Sequence, residues 1–400
     1  MVASEMSPLD AAKSPSPGLF SSNARLSILG VMAATHSLFR WSASLAVLAI
    51  LVGCGDDFEP NAARDAAQSS NAGDAPVGGV DAGLSADAWS LDAWDGVSMD
   101  PGADCLPDPP VSTVIVLPDT QMYVYYPEIF RAQMDWIVEE TKSRRIDAVL
   151  HVGDVVDDPL DRAQWTVAST ALRVMDGVVP YVLVPGNHDT DPARATLMNE
   201  FFAPASMPWI MGTWMVGQME NNYTLMDIGP QRWLILGLEF GPRHAVVSWA
   251  DSILKAYAEL PAILIAHAYL YDDGTRYDWS AKGAQQDFNP HWYAYTPEAG
   301  INDGEELWRK LVLPNDNVRL VLCGHVPSLK TAHLTSIRPN GTRVHQILSD
   351  YQGWENGGNG YLRVMDFDYR QKAIRVQTYS PFLNRFEVEA GHSFTISLDI

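Results

Sequence analysis

Positive charge is scarce in this sequence. Its 400 residues carry 27 Lys and Arg against 49 Asp and Glu, a formal net charge of −22. A surface of that sign does not build a groove for a nucleic-acid polymer, whose phosphates are held by counter-charge. Cysteine is scarcer still, at three residues, so no disulfide framework carries the fold. Cys105 and Cys323 could pair in an oxidising compartment, and spacing does not test this. The apolar strand setting of Cys323 points instead to a buried free thiol. No apolar run reaches the roughly 18–20 residues that a membrane-spanning helix needs. There is no G-x-x-x-x-G-K-[ST] phosphate loop and no G-x-S-x-G elbow, which removes two large hydrolase classes. No internal repeat is present.

What is there is unevenly distributed. Between Gly55 and Pro110 twelve acids face the single base Arg64. This stretch is rich in Ala, Gly, Asp, Ser and Pro and lacks any apolar period, so it reads as a disordered acidic tether over 55–110. Its Trp89 and Trp94 are unusual for a tether. Ahead of it, Trp41–Gly53 is a thirteen-residue apolar run preceded by Arg40 and closed by Cys54. That length suits a signal-peptide core. Leu51-Val52-Gly53-Cys54 resembles a bacterial lipobox, in which the cysteine is lipidated. The expectation is therefore a signal peptide over 1–54, started at Met1 or Met32, and an extracytoplasmic lipoprotein anchored to a membrane by its N-terminus.

Order begins near Ser112. Ser112–Leu117, Asp147–Val152 and Tyr181–Val184 are short apolar, β-branched runs that read as buried strands. Phe130, Met134, Ile137 and Val138 recur at helical spacing between the first two, and a second helix is expected over Gln164–Met175. Strands alternating with helices imply βαβ units. Further strands are expected at Tyr223–Asp227, Trp233–Leu238, Ala262–Ala266 and Arg319–Cys323. From Thr331 to Ile400 the alternation VHQILSD, YLRVMDF, AIRVQTY, FTISLDI predicts a mostly antiparallel layer. The fold class is α/β, with a single domain over 111–400 following the tether.

The residues after these strands share one chemistry. Pro118-Asp119-Thr120-Gln121 follows the first, Gly153-Asp154-Val155-Val156-Asp157 the second, and Gly186-Asn187-His188-Asp189 the third. His267 follows Ala262–Ala266, and Gly324-His325 follows Arg319–Cys323. Ligands of α/β sheets bind beyond the carboxyl ends of the strands. Mixed carboxylate, amide and imidazole donors suit borderline divalent metals such as Mn, Fe or Zn. Any one of these pieces alone is an ordinary cap, turn or loop; their joint occurrence at strand ends is the specific signal.

In these motifs the sequence resembles the calcineurin-like metallophosphoesterases, whose pattern runs D-x-H, G-D-x-x-D, G-N-H-D/E, a lone His and G-H-x-H. The likeness covers Val111 to about Asp368. It is similar to a secreted bacterial branch opening with P-D-T-Q and carrying the later Asp350-Tyr351-Gln352 and Gly360-Tyr361-Leu362-Arg363. The resemblance implies a two-sheet β-sandwich flanked by helices, in four layers α/β/β/α, holding two metals about 3.5–4 Å apart. It implies that Asp154 bridges them, that Asp119 and Gln121 serve the first metal, and that Asn187, His267 and His325 complete the second. His188 would face the leaving group, oriented by Asp157. The implied reaction is hydrolysis of a phosphomonoester or phosphodiester by a metal-bound hydroxide. The substrate would be a small molecule or a lipid headgroup.

Two positions depart from that pattern. The D-x-H histidine is Gln121, and the closing G-H-x-H reads Gly324-His325-Val326-Pro327. The second-metal position is complete and the first is thinner, with His333, His345 and Asp350 as substitutes to be weighed. These losses also motivate a rival reading, a non-catalytic binding or scaffold protein on a decayed phosphoesterase fold. Between His267 and His325 the polar, aromatic insertion Tyr269–Gly300 offers Arg276 for a phosphate and Tyr277 or Trp292 for a base or sugar. The same residues could equally pack the loop down, and Trp209, Trp214 and Tyr223 pose the same choice.

Overall fold

The computed structural model describes residues 111–293, 295, 300–328 and 330–400. The expected signal peptide, lipobox and tether lie outside the described residues, as do Cys105, Trp89 and Trp94. Among the described residues, no helix is long and apolar enough to cross a membrane.

Among the described residues, fourteen strands form two seven-stranded sheets. In the first, β1 (Val111–Leu117) pairs in parallel with β2 (Ile146–His151), and β2 with β3 (Tyr181–Val182). On its other side β1 pairs antiparallel with β11 (Leu362–Asp368), which continues to β12 (Ala373–Ser380). β13 (Arg385–Glu387) and β14 (Ser393–Ser397) both pair with β12. In the second sheet, β4 (Gly212–Thr213) and β5 (Asn222–Ile228) lead antiparallel into β6 (Gln231–Leu238). Then β7 (Ala262–Ala266), β8 (Val318–Cys323) and β10 (Arg343–Leu348) follow in parallel, and β9 (Ala332–Ile337) closes the edge antiparallel.

The central strands β1, β2, β7 and β8 are apolar on both faces because both faces are covered. Val114 and Val116 of β1 join Leu150, Ile235, Ile265 and Leu322 in the core between the sheets. Ile115 and Leu117, one residue out of phase, face the helices Pro127–Glu140 and Arg162–Leu172, where they meet Phe130, Met134, Trp165 and Leu172. On the far face of the second sheet, Leu234, Leu236 and Leu264 pack under the helix His244–Ala256 through Val246, Ala250 and Leu254. The result is four layers, α/β/β/α. Pro127 starts the first helix at a position where its missing N–H costs nothing. Asp161 caps the second by accepting the Ala163 N–H at 2.8 Å.

Two expectations change. The strands after Thr331 are not one layer: β9 and β10 extend the second sheet, while β11–β14 extend the first. Alternation fixed that they are strands, but long-range pairing decides which sheet each joins. The helix His244–Ala256 was also not anticipated. Cys323 is buried and free.

Candidate metal centre

The parallel strands point their carboxyl ends to one edge, and the loops there carry the polar residues. Asp154 and His325 hold left-handed backbone, at φ 53° and 82°. Such conformations are uncommon for non-glycine residues and cluster at functional sites. The neighbouring glycines make room. A Cβ on Gly186 would collide with the Asp154 carboxylate, and one on Gly324 with that of Asp119.

Asp154, His267 and His325 form a buried triad whose ligand atoms all lie within 4.8 Å of one another. Each imidazole is oriented through its other nitrogen. His267 Nδ1–H donates to the Val152 carbonyl at 2.8 Å. Its Nε2 then faces Asp154 Oδ2 at 3.3 Å, Asn187 Oδ1 at 3.3 Å and Asp119 Oδ2 at 3.9 Å. His325 Nε2–H donates to the Phe288 carbonyl at 2.7 Å, which leaves a buried Nδ1 with no partner. Burial works against charging His267, but the Asp154 carboxylate outweighs it and raises the imidazole, so a cation would take the place of the Nε2 proton that faces Asp154. Ligands about 2.1 Å from a cation stand roughly 3–3.4 Å apart around it; the 3.3 Å separations of His267 Nε2 from Asp154 Oδ2 and Asn187 Oδ1 match that spacing, and carboxylate, amide and imidazole donors suit a divalent metal. Burial works against charging His325 and, with His267 nearby, pushes its imidazole down to about 3, the neutral form a ligand needs. Burial also opposes ionisation of Asp154, but His267 and His188 hold its carboxyl well below the usual range.

Beside the triad sits a half-exposed pair. His188 donates its backbone N–H to Asp154 Oδ1 at 2.9 Å. Its ring Nδ1 lies 3.2 Å from Asp157 Oδ1 and 2.9 Å from the Asp157 carbonyl. Nδ1–H is therefore the donor, and Nε2 is left toward solvent on a side chain 37% exposed. Tyr125 Oη–H donates to the other Asp157 oxygen at 2.7 Å. Burial opposes protonation of His188, but Asp154 and Asp157 outweigh it and push the imidazole up to about 10.

Asp119 and Gln121 lie on the other side. Asp119 Oδ2 accepts the His325 backbone N–H at 2.8 Å, whereas Oδ1 has no partner. Gln121 Nε2 donates to Gln352 Oε1, whereas Gln121 Oε1 has no partner. Burial and the carboxylates of Asp350 and Asp154 push the Asp119 carboxyl well above its ordinary range.

The remaining expected residues fare differently. His333 stacks on Phe394, and His345 bonds Thr335 and Ser397, so neither joins the cluster. Arg276 is not available to a phosphate: it bonds Gln346, Glu305 and Ser336 and lies over Trp308. Tyr277 is fully buried; Trp292 is exposed. Trp209 donates to the Tyr181 carbonyl, Trp214 lies under Arg243, and Tyr223 packs on Trp249 and Tyr257. Several contributors escaped sequence reasoning. Asp189 is a loop clamp, accepting the N–H groups of Val155, Val156 and Gly186. His151 accepts the Gly153 N–H and meets Thr120 Oγ1 at 2.9 Å, fixing the turns before Asp154 and Gln121. The Phe288 carbonyl is a backbone group that no residue type announces.

The profile of the calcineurin-like phosphoesterase family matches residues 112–329. The chain is 31% identical over 306 residues to the uncharacterized protein YvnB of Bacillus subtilis (strain 168), covering 72% of this chain and 22% of that protein. It therefore spans about a fifth of the length of that curated relative. Among solved structures, a purple acid phosphatase from yellow lupin (Lupinus luteus) seeds aligns over 72% of this chain and 54% of its own, at 15% identity and TM-score 0.44. The sulfate thiohydrolase SoxB of Thermus thermophilus aligns over 71% and 59%, at 10% identity and TM-score 0.34.

Proposed function

This chain belongs to the calcineurin-like phosphoesterase family, and from that premise we propose that it hydrolyses a phosphomonoester or phosphodiester, with His188 protonating the leaving group. One observation carries the reading: the half-exposed His188–Asp157 pair stands directly on the buried Asp154–His267–His325 triad through the 2.9 Å bond to Asp154. Divalent cations held by Asp154, Asn187, His267 and His325, and by Asp119 and Gln121, would neutralise the phosphoryl oxygens and lower the pKa of an attacking water. The family implies such metals; their identity as Mn, Fe or Zn belongs to this proposal.

The chain's own residues do the rest. Asp157 binds Nδ1–H through carboxylate and carbonyl, so the ring is held with Nε2 outward. Tyr125 fixes the second Asp157 oxygen and keeps that carboxylate from swinging away. The protonated imidazole gives its Nε2 proton to the departing alkoxide, and the bond to Asp157 stabilises the ring through the transfer. The substrate in this reading is a small molecule or lipid headgroup, reached by a protein tethered outside the cytoplasm through its N-terminal lipid.

The test is turnover of an aryl phosphate and a bis-aryl phosphate by the full chain with added Mn²⁺, beside His188→Ala. Hydrolysis of at least one ester, lost in the variant while bound metal stays level, is the expected result. Metal bound with no turnover of either ester would instead favour the binding-protein reading.

A further inference from the structure

The sequence leaves the first cation position thin, and the structure shows what stands beside it. β10 ends at Leu348, and the following loop runs Ser349-Asp350-Tyr351-Gln352 against the loop after β8. A Cβ on Gly353 would lie 3.1 Å from the Pro327 carbonyl oxygen, so this loop abuts the residue that cannot bind metal. Side chains alternate along it. Tyr351 points into the body, where it is fully buried, packs on Trp354 and Tyr361, and meets Thr378 Oγ1 at 3.1 Å. Asp350 and Gln352 point the other way, toward Asp119 and Gln121. Arg363 pins the loop's base by donating to Ser349 Oγ and the Leu348 carbonyl.

Three carboxylates there share one close imidazole, His267, whose Nε2 stands 3.3 Å from Asp154 and 3.9 Å from Asp119. Asp119, Asp154 and Asp350 are each 1% exposed. Among the described residues, no lysine or arginine ion pair reaches any of them. The Gln352 Nε2 amide bridges Asp350 Oδ2 at 3.0 Å and Asp119 Oδ2 at 3.3 Å, standing between two buried carboxylates where a cation would be expected. Asp119 Oδ1 and Gln121 Oε1 are buried and have no partner. Buried polar atoms are almost always satisfied, so two orphaned oxygens beside three carboxylates mark a place for a cation. With a cation bound, the Gln121–Gln352 bond would open and the Gln352 amide turn, bringing its oxygen to that position.

We propose that Asp350 and Gln352 complete a second cation site with Asp119 and Gln121, replacing the imidazoles that positions 121 and 327 lack. The proposal rests on reading the triad as metal-bound. Oxygen-only donors make this the weaker and harder of the two sites, suited to Mn²⁺ or Mg²⁺ rather than to a metal that prefers nitrogen.

The experiment is equilibrium dialysis of the full chain with Mn²⁺, read by elemental analysis, for the wild type, Asp350→Asn, Gln352→Leu and Gln352→Glu. The wild type should bind two ions of unequal affinity. Asp350→Asn and Gln352→Leu should weaken the looser ion by at least about tenfold and leave the tighter one unchanged. Gln352→Glu should tighten the looser ion, because it adds a ligand charge. It also serves if Asp350→Asn fails to fold, since its melting temperature with and without Mn²⁺ separates a ligand from a hydrogen-bonding role. A wild type that binds a single ion, looser-ion affinity unchanged in Asp350→Asn, or Gln352→Glu destabilised equally with and without Mn²⁺ would overturn the proposal. Turnover with one ion bound would do so while sparing the phosphoesterase reading. Two ions bound without turnover would do the reverse.

Discussion

Two histidine–carboxylate clusters lie among the described residues, and only one has donors to spare. At the strand ends, Asp154, His267 and His325 are buried, with His325 Nδ1 unpartnered and Asp119 Oδ1 and Gln121 Oε1 unpartnered nearby. Where the insertion meets the helix Gly304–Leu307, His291, Asp303 and Glu306 come equally close, but every carboxylate oxygen is in use. Asp303 Oδ1 caps the Glu306 N–H and Oδ2 takes the Trp279 N–H. Glu306 Oε2 takes the Asp303 N–H and His291 Nε2–H, while Oε1 takes Lys310. This second cluster is a capping box with an added ion pair, and it closes the insertion onto that helix. Proximity of ligand types therefore does not define a metal site; unspent lone pairs held by buried, pre-oriented groups do.

The sharpest break between the clusters should be catalytic. His188→Ala should cost roughly 10²–10⁴ in turnover, the range of a lost acid–base group, with metal content by elemental analysis near wild type. His267→Ala should remove both turnover and the tightly held metal, whereas His291→Ala should leave metal content intact; loss of metal in His291→Ala would erase the distinction drawn here. Asp157→Asn should slow turnover by about 10–100-fold, as losing an orienting partner does, and dialysis should show both ions retained.

Stripping metal with a chelator should lower the melting temperature, since a ligand at a thousand times its Kd stabilises by about 4 kcal/mol. Calorimetry before and after re-addition of Mn²⁺ checks this. The insertion cluster should respond to pH instead. Burial works against ionising Glu306, but His291 and Lys310 outweigh it and hold the carboxyl down at about 2, from an ordinary 4.5. Glu306 in turn raises His291 above its ordinary 6.5. The Glu306 contribution is present above pH 4.5 and fades as pH falls toward 2; that of His291 is present below 6.5 and fades as pH rises through its raised value. The stability difference between wild type and Glu306→Gln should therefore peak between those limits, at about 1 kcal/mol for a half-buried pair screened by solvent. Urea midpoints across pH give the curve; a flat profile would mean the pair is idle.

The sequence made much of this legible, and the limits have physical causes. Motifs such as Gly186-Asn187-His188 are local, because turn chemistry and ligand sit within four residues. The apolar strands declared themselves through composition. What stayed hidden depends on contacts between distant segments. Gln352 meets Gln121 across 231 residues; both sit in motifs of the family likeness, but no local pattern says that their side chains touch. Arg276 looked available because its partners Gln346 and Ser336 arrive from β10 and β9. The carbonyl of Phe288, which orients His325, is a backbone atom on a residue at φ 63°, and backbone groups carry no residue signature.

The most direct test of the central claim is a metal titration of the chelated full chain in which bound Mn²⁺ and aryl phosphate hydrolysis are followed together. Turnover that is absent in the stripped protein and rises in step with occupancy of the strand-end cluster is the predicted result. Hydrolysis that persists after chelation, or occupancy that fills with no hydrolysis of mono- or diester, would contradict it.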